Sequence, residues 1–175
     1  MTAFDKAWAI VKMPLVPGSL KEVPTMNIHG YPIPVGEGDP RFRRFEALFD
    51  DPATNERLKT EVRQQDGDFI AEIENTPDDD HYGRGMTTHR SSGKERAGGL
   101  AMNTFADPER PVYAMEGVGV EEKYRRRGYA TALYDLVARV LSDQGLGPIV
   151  PSDTRSDDAM ALWGDKEEWP VRDDL

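Results

Sequence analysis

The spacing of hydrophobic and polar positions changes several times along the chain, and each change predicts a different kind of structure. Residues 1–40 keep no period, because Pro14, Pro17, Gly18, Pro24, Gly30, Pro32, Pro34, Gly36, Gly38 and Pro40 keep interrupting it. Proline fixes φ and removes a donor, so this stretch reads as an arm with one short strand at residues 8–12. Residues 41–175 read as the folded domain. Its first part is three short runs, 42–49, 57–63 and 68–74, bounded by the turn formers Asp50-Asp51-Pro52 and Gln65-Asp66-Gly67. Phe69, Ala71 and Ile73 alternate with period two, which predicts an antiparallel meander. Residues 76–96 are polar, contain Gly83, Gly85 and Gly93, and predict a loop.

Regular patterning returns at 98–105 and 112–120, two strand-like runs joined by Ala106-Asp107-Pro108. Leu133, Leu136, Val137, Val140 and Leu141 then follow the i, i+3, i+4, i+7, i+8 spacing of a helix face, and Gly145 offers its stop. Tyr134 reads as a boundary residue on that helix. Residues 146–151 are short and apolar, like a buried strand. A last helix is expected from Ser156 as N-cap to Trp163, with Asp157 and Asp158 near its positive end and Gly164 beyond. Together the elements predict an α/β fold, a central mixed sheet flanked by helices.

A chain of 175 residues fits one hydrophobic core. Its apolar runs fall far short of the ~20 residues that span a bilayer, and the start of the chain lacks the pattern of a secretory signal. The absence of cysteine removes disulfides and thiolate metal sites and suits a cytoplasmic protein. His81 and His89 share a polar segment with Asp78, Asp79 and Asp80, but neither helical spacing nor a cysteine partner supports a metal site there, and none is expected. Acidic side chains number 32 against 22 basic ones, giving a net charge of −10. That balance repels polyanions and argues against nucleic acid as a general partner, while leaving an acidic surface for a basic protein. Lys123, Arg125, Arg126 and Arg127 form a basic island that runs against the trend.

The island lies where a strand gives way to a helix, in Val118-Gly119-Val120-Glu121-Glu122-Lys123-Tyr124-Arg125-Arg126-Arg127-Gly128-Tyr129-Ala130-Thr131. The first N–H groups of a helix have no partner within it, and the aligned peptide dipoles add positive charge there. Gly128 permits close backbone approach, Ala130 is the next smallest choice, and three arginines attract phosphate. A pyrophosphate suits this arrangement.

Arg125-x-x-Gly128-x-Ala130 resembles the Gln/Arg-x-x-Gly-x-Gly/Ala signature of the GNAT superfamily of N-acetyltransferases, and Val118 to Val120 resembles the end of that family's fourth strand. Residues 148–150 resemble the fifth strand, and Ser156-x-x-Ala159-x-x-Leu162-Trp163 the helix after it. The resemblance implies acetyl-CoA as cosubstrate and an amine as acceptor. It implies that Arg125, Arg126, Arg127, Gly128, Tyr129, Ala130 and Thr131 bind the coenzyme's phosphates, and that Val118, Gly119 and Val120 bind its pantetheine arm. Glu116, sharing a strand face with Val118 and Val120 in simple alternation, is the candidate general base.

Two positions depart from the pattern. Trp163 stands where many relatives have a tyrosine that protonates the departing thiolate, and an indole N–H is a poor acid. Only residues 164–175 follow, with room for one short strand at 169–172 where the family usually adds two. These departures keep open a catalytically idle GNAT fold used as a binding or virion component. The small size, the proline-rich arm and Pro151-Ser152 followed by Ala161-Leu162-Trp163 also resemble acetyltransferase-like proteins of bacteriophages. A nucleobase-modifying enzyme on the same fold is disfavoured by the negative charge.

Overall fold

The computed structural model describes residues 20–51, 56–75, 95–105 and 112–175. The expected strand at 8–12, most of the loop at 76–96 with His81 and His89, and the turn at 106–108 lie outside the described residues.

Nine strands and two α-helices are formed, in the order β1 (Lys21–Val23), β2 (Thr25–Met26), β3 (Pro32–Ile33), β4 (Phe42–Asp51), β5 (Glu56–Gln65), β6 (Asp68–Asn75), β7 (Glu95–Phe105), β8 (Val112–Val120), α1 (Tyr129–Asp143), β9 (Ile149–Val150) and α2 (Asp157–Trp163) among the described residues. Strands β4 to β6 make the expected antiparallel meander, which β7 and β8 continue, and β7 starts before the expected Gly98. The main sheet runs β1-β4-β5-β6-β7-β8-β9, with β1 joining the edge of β4. β2 and β3 form a small hairpin of their own. The tight turn between β5 and β6 uses Asp66 and Gly67, both at positive φ, as its turn chemistry predicts.

Alternation gives the sheet two unlike faces. On one, Phe45, Ala47 and Phe49 of β4, Leu58 and Val62 of β5, Phe69 and Ala71 of β6, and Leu100 and Met102 of β7 are buried. Helix α1 lies over this face against β5 to β8 and contributes Leu133, Leu136, Val137, Val140 and Leu141 to the core. Each such large aliphatic side chain stabilises the fold by ~1.5–3 kcal/mol when fully buried. On the other face, Arg44 bridges Glu46 and Glu61 at 2.9 Å each, Lys59 meets Glu46 at 2.7 Å, and Arg63 meets Glu72 at 2.9 Å. Like charges stand directly opposite in the ladder, Arg44 to Arg63 and Glu46 to Glu61, so the attractive pairs are neighbours along or diagonal to the strands.

Helix α2 begins as the sequence predicts, with the Ser156 hydroxyl accepting from the Ala159 amide at 3.3 Å and Asp157 and Asp158 in the first turn. Three expectations need correction. Tyr134 is not a boundary residue but fully buried, stacked on Trp169 at 4.4 Å and edge-on to Trp163 at 5.3 Å. Residues 169–172 form no strand: the Trp169 amide donates to the Ile149 carbonyl at 2.9 Å, but Pro170 has no N–H with which to continue a ladder. The expected strand at 146–151 is likewise confined to Ile149 and Val150.

Candidate active site

Strand β8 pairs with β9 over only two positions, Tyr113 with Ile149 and Ala114 with Val150. The limits come from proline. Pro148 accepts from the Tyr113 amide at 3.1 Å, but neither it nor Pro151 can donate to a neighbour. β8 continues to Val120, and residues 117–120 have no strand neighbour on the β9 side among the described residues. Among the described residues nothing pairs with their outward peptide groups, and such a strand edge is where an extended, amide-bearing ligand can pair.

The other ladder of β8 shifts register where Ala101 opposes Gly117 and Met102 opposes Met115. Glu116 is the residue left over. A bulge of this kind interrupts the two-residue alternation of a strand, and here it falls between Met115 and Gly117. Val118 and Val120 pack against the core, while Gly117 and Gly119 are exposed.

Beyond β8 the chain makes a 3₁₀ turn, Glu122–Tyr124, and reaches α1 through residues 125–128. Arg126, at φ 59°, and Gly128, at φ 82°, are both left-handed. Gly128 caps α1, with no side-chain hydrogen bond at the cap and no acidic residue in the first turn. The first helical bond runs from the Ala132 amide to the Gly128 carbonyl at 2.9 Å, so the amides of Ala130 and Thr131 precede it and present the positive end of the helix to the turn.

The three arginines have different surroundings. Arg125 is exposed, and its Nε donates to the Val120 carbonyl at 3.0 Å, tying the turn to the end of β8. Arg126 is exposed. Arg127 lies with its guanidinium 5.2 Å from the Tyr124 ring centre and 5.4 Å from that of Tyr129, and its Nη1 reaches the Lys123 carbonyl at 3.4 Å. Tyr124 and Tyr129 are buried and stacked at 5.3 Å, so Tyr129 contributes its ring to the fold and only its backbone to the turn. This aromatic underpinning was not read from the sequence, although both tyrosines are visible in it.

Residues 42–163 match the acetyltransferase (GNAT) family, from the first residue of β4 to the last of α2. This chain belongs to the GNAT family. No curated protein matches it significantly. Trp163, at the position compared above with a GNAT tyrosine, is fully buried and its indole N–H donates to the Tyr134 hydroxyl at 3.2 Å. Burial pushes Tyr134 up to about 12, partly offset by that hydrogen bond. An open groove of about 400 Å³, lined in part by Leu141, Leu146, Pro148, Trp169 and Val171, sits at the opposite end of α1 from the glycine turn and includes none of its residues. The exposed Arg125 and Arg126 and the left-handed Gly128 belong to the turn and not to this groove.

Proposed function

We propose that the protein is an N-acetyltransferase that moves an acetyl group from acetyl-CoA to a primary amine of a small molecule or a protein. One observation carries this reading: the start of α1, capped by Gly128 without a side-chain hydrogen bond and free of acidic residues in its first turn, adjoins a strand end that has parted from its parallel neighbour, within a GNAT chain. Gly128, Ala130 and Thr131, with the backbone of Tyr129, would hold the pyrophosphate through their amides, and Arg125 and Arg126 would neutralise it. Arg127, held over two rings, adds charge at longer range. Val118, Gly119 and Val120 would pair with the pantetheine amides.

Acetyl-CoA supplies an activated thioester: a carbon–nitrogen bond forms to the amine, the carbon–sulfur bond breaks, and CoA leaves with the electron pair and takes up a proton. The acceptor arrives as an ammonium ion and must first lose a proton, which Glu116 would take directly or through one water. The left-over position of Glu116 at the bulge supports this role, because such shifts recur beside active sites. The acid step falls to neither Trp163, whose N–H is engaged in the core, nor Tyr134, which is fully buried against Trp163 and Trp169. That locked pair is also what favours the competing reading, a coenzyme-binding GNAT fold that transfers nothing.

A thermal-shift series with acetyl-CoA, CoA and ATP, followed by mass spectrometry of candidate amines, separates these readings. Acetyl-CoA at 100 times its dissociation constant should stabilise the protein by about 2.7 kcal/mol, and Gly128→Val should abolish the shift. Glu116→Gln should lower turnover at least ~10-fold at neutral pH while leaving acetyl-CoA affinity nearly unchanged. A shift without any acetylated product would favour the idle fold, and no shift at all would remove the coenzyme site.

A further inference from the structure

We infer that Gly98 is a positioning residue for the coenzyme site, setting the end of β8 from the neighbouring strand; this rests on the reading of the β8–α1 junction as that site. Gly98 stands directly opposite Val120 in the β7–β8 ladder. A Cβ on it would lie 3.0 Å from the Gly119 carbonyl oxygen, 3.3 Å from Val120 Cγ2 and 3.5 Å from Val120 Cα. The first contact is with backbone and cannot be relieved by rotating a side chain. Val120 Cγ2 could turn away, but the carbonyl moves only if the strand moves.

The residue's position along β7 sharpens the effect. The ladder to β6 shifts register between Ile73, opposite Gly98, and Glu74, opposite Arg96, so Ala97 is left without a partner there. Gly98 therefore sits between a bulge on one side and the last pair of β8 on the other. Its effect also passes directly into the turn, because the Val120 carbonyl accepts from Arg125 Nε at 3.0 Å. A side chain at 98 would displace Gly119 and Val120, and with them the acceptor that anchors Arg125, without touching a ligand. By contrast, a Cβ at Gly117 or Gly119 would meet no protein atom within 4 Å, so close strand approach explains glycine at 98 alone of these three.

The test compares Gly98→Ala with Val62→Ala, a core truncation in β5 that is remote from the β8 end, and reads acetyl-CoA affinity by calorimetry beside thermal stability. Both variants should be less stable than wild type. Gly98→Ala should weaken acetyl-CoA binding about tenfold or more, about 1.4 kcal/mol, because the strand end and the Arg125 anchor would shift together, while Val62→Ala should bind as wild type does. If Gly98→Ala does not fold, the double variant Gly98→Ala/Val120→Ala removes the Cγ2 contact and leaves the carbonyl contact, and should bind more weakly than Val120→Ala alone, the control for the loss of the valine itself. Wild-type affinity in Gly98→Ala, or in the double variant an affinity equal to that of Val120→Ala, would overturn the inference, as would an equal loss in Val62→Ala. Failure of wild type itself to bind acetyl-CoA would instead defeat the reading of the site on which the inference rests.

Discussion

Glycine answers different needs at positions 98, 119 and 128. Gly128 supplies the left-handed cap of α1 at φ 82°, and Gly98 permits close strand approach. Gly119 is required by neither, since it is exposed and an added Cβ would meet nothing within 4 Å. A side chain is absent there without any demand from the fold, which is the pattern expected where a ligand lies against backbone. Gly119→Ala should therefore keep wild-type thermal stability or gain up to ~1 kcal/mol from reduced freedom of the unfolded chain, yet bind acetyl-CoA more weakly. Equal affinity in the two proteins would show that the coenzyme does not pass this face. At this scale the sequence displayed the spacing of Arg125, Gly128 and Ala130 but not the separate fates of its arginines. Which guanidinium rests on Tyr124 and Tyr129 depends on a turn conformation, with Arg126 at φ 59°, that residue type alone does not dictate.

Among the elements, the strands of the meander were legible because one face of each is buried and alternation records it. The irregularities were not. Alternation assumes that paired strands advance together, and at Glu116 and Ala97 they do not. Nor does it reveal a polar residue on the buried face: Thr60 of β5 is fully buried and its hydroxyl has no hydrogen-bond partner among the described residues. An unsatisfied buried hydroxyl costs about 1–3 kcal/mol, so Thr60→Val, of the same shape, should raise stability by about 1 kcal/mol in chemical denaturation. A loss instead would mean that the hydroxyl is satisfied.

The helical period of α1 was read correctly, but it misplaced Tyr134 because the C-terminal tail covers a second flank of the helix. There Asp135 is buried, accepting from Trp169 Nε1 at 2.8 Å and facing Arg172 at 3.5 Å, with Asp174 near Arg172. Burial raises the Asp135 carboxyl above its ordinary 3.8, outweighing the Trp169 hydrogen bond and the Arg172 charge that lower it. A raised folded-state value means that the neutral acid is the form folding favours. Its contribution is complete below the ordinary carboxylate range and is lost as pH rises through the raised value. Asp135→Asn keeps an oxygen for Trp169 and cannot ionise, so the stability of wild type relative to this variant should fall as pH rises from about 3 to 7. A difference that stays flat or grows over that range would show that Arg172 holds the ionised form.

For the whole molecule, one sheet face carries the core and α1, while the other is an ion-pair lattice of three cations and three carboxylates, Arg44, Lys59 and Arg63 with Glu46, Glu61 and Glu72. Against a net charge of −10, the turn at 125–128 is a local reversal of sign where the end of β8 meets the start of α1. The assembly as a whole was legible from the strand, turn and helix order; the parting of β8 from β9 followed from the family resemblance and not from hydrophobic patterning, because it depends on which carbonyls and amides Pro148 and Pro151 leave for pairing. The most direct measurement is a titration of the ¹⁵N-labelled protein with acetyl-CoA, following backbone amide shifts. The largest changes should fall on Arg126 to Thr131 and on Val118 to Val120, with ATP producing smaller changes limited to the turn. Changes centred on the groove at Leu141, Leu146 and Trp169, or none in residues 126–131 at saturating acetyl-CoA, would contradict the account.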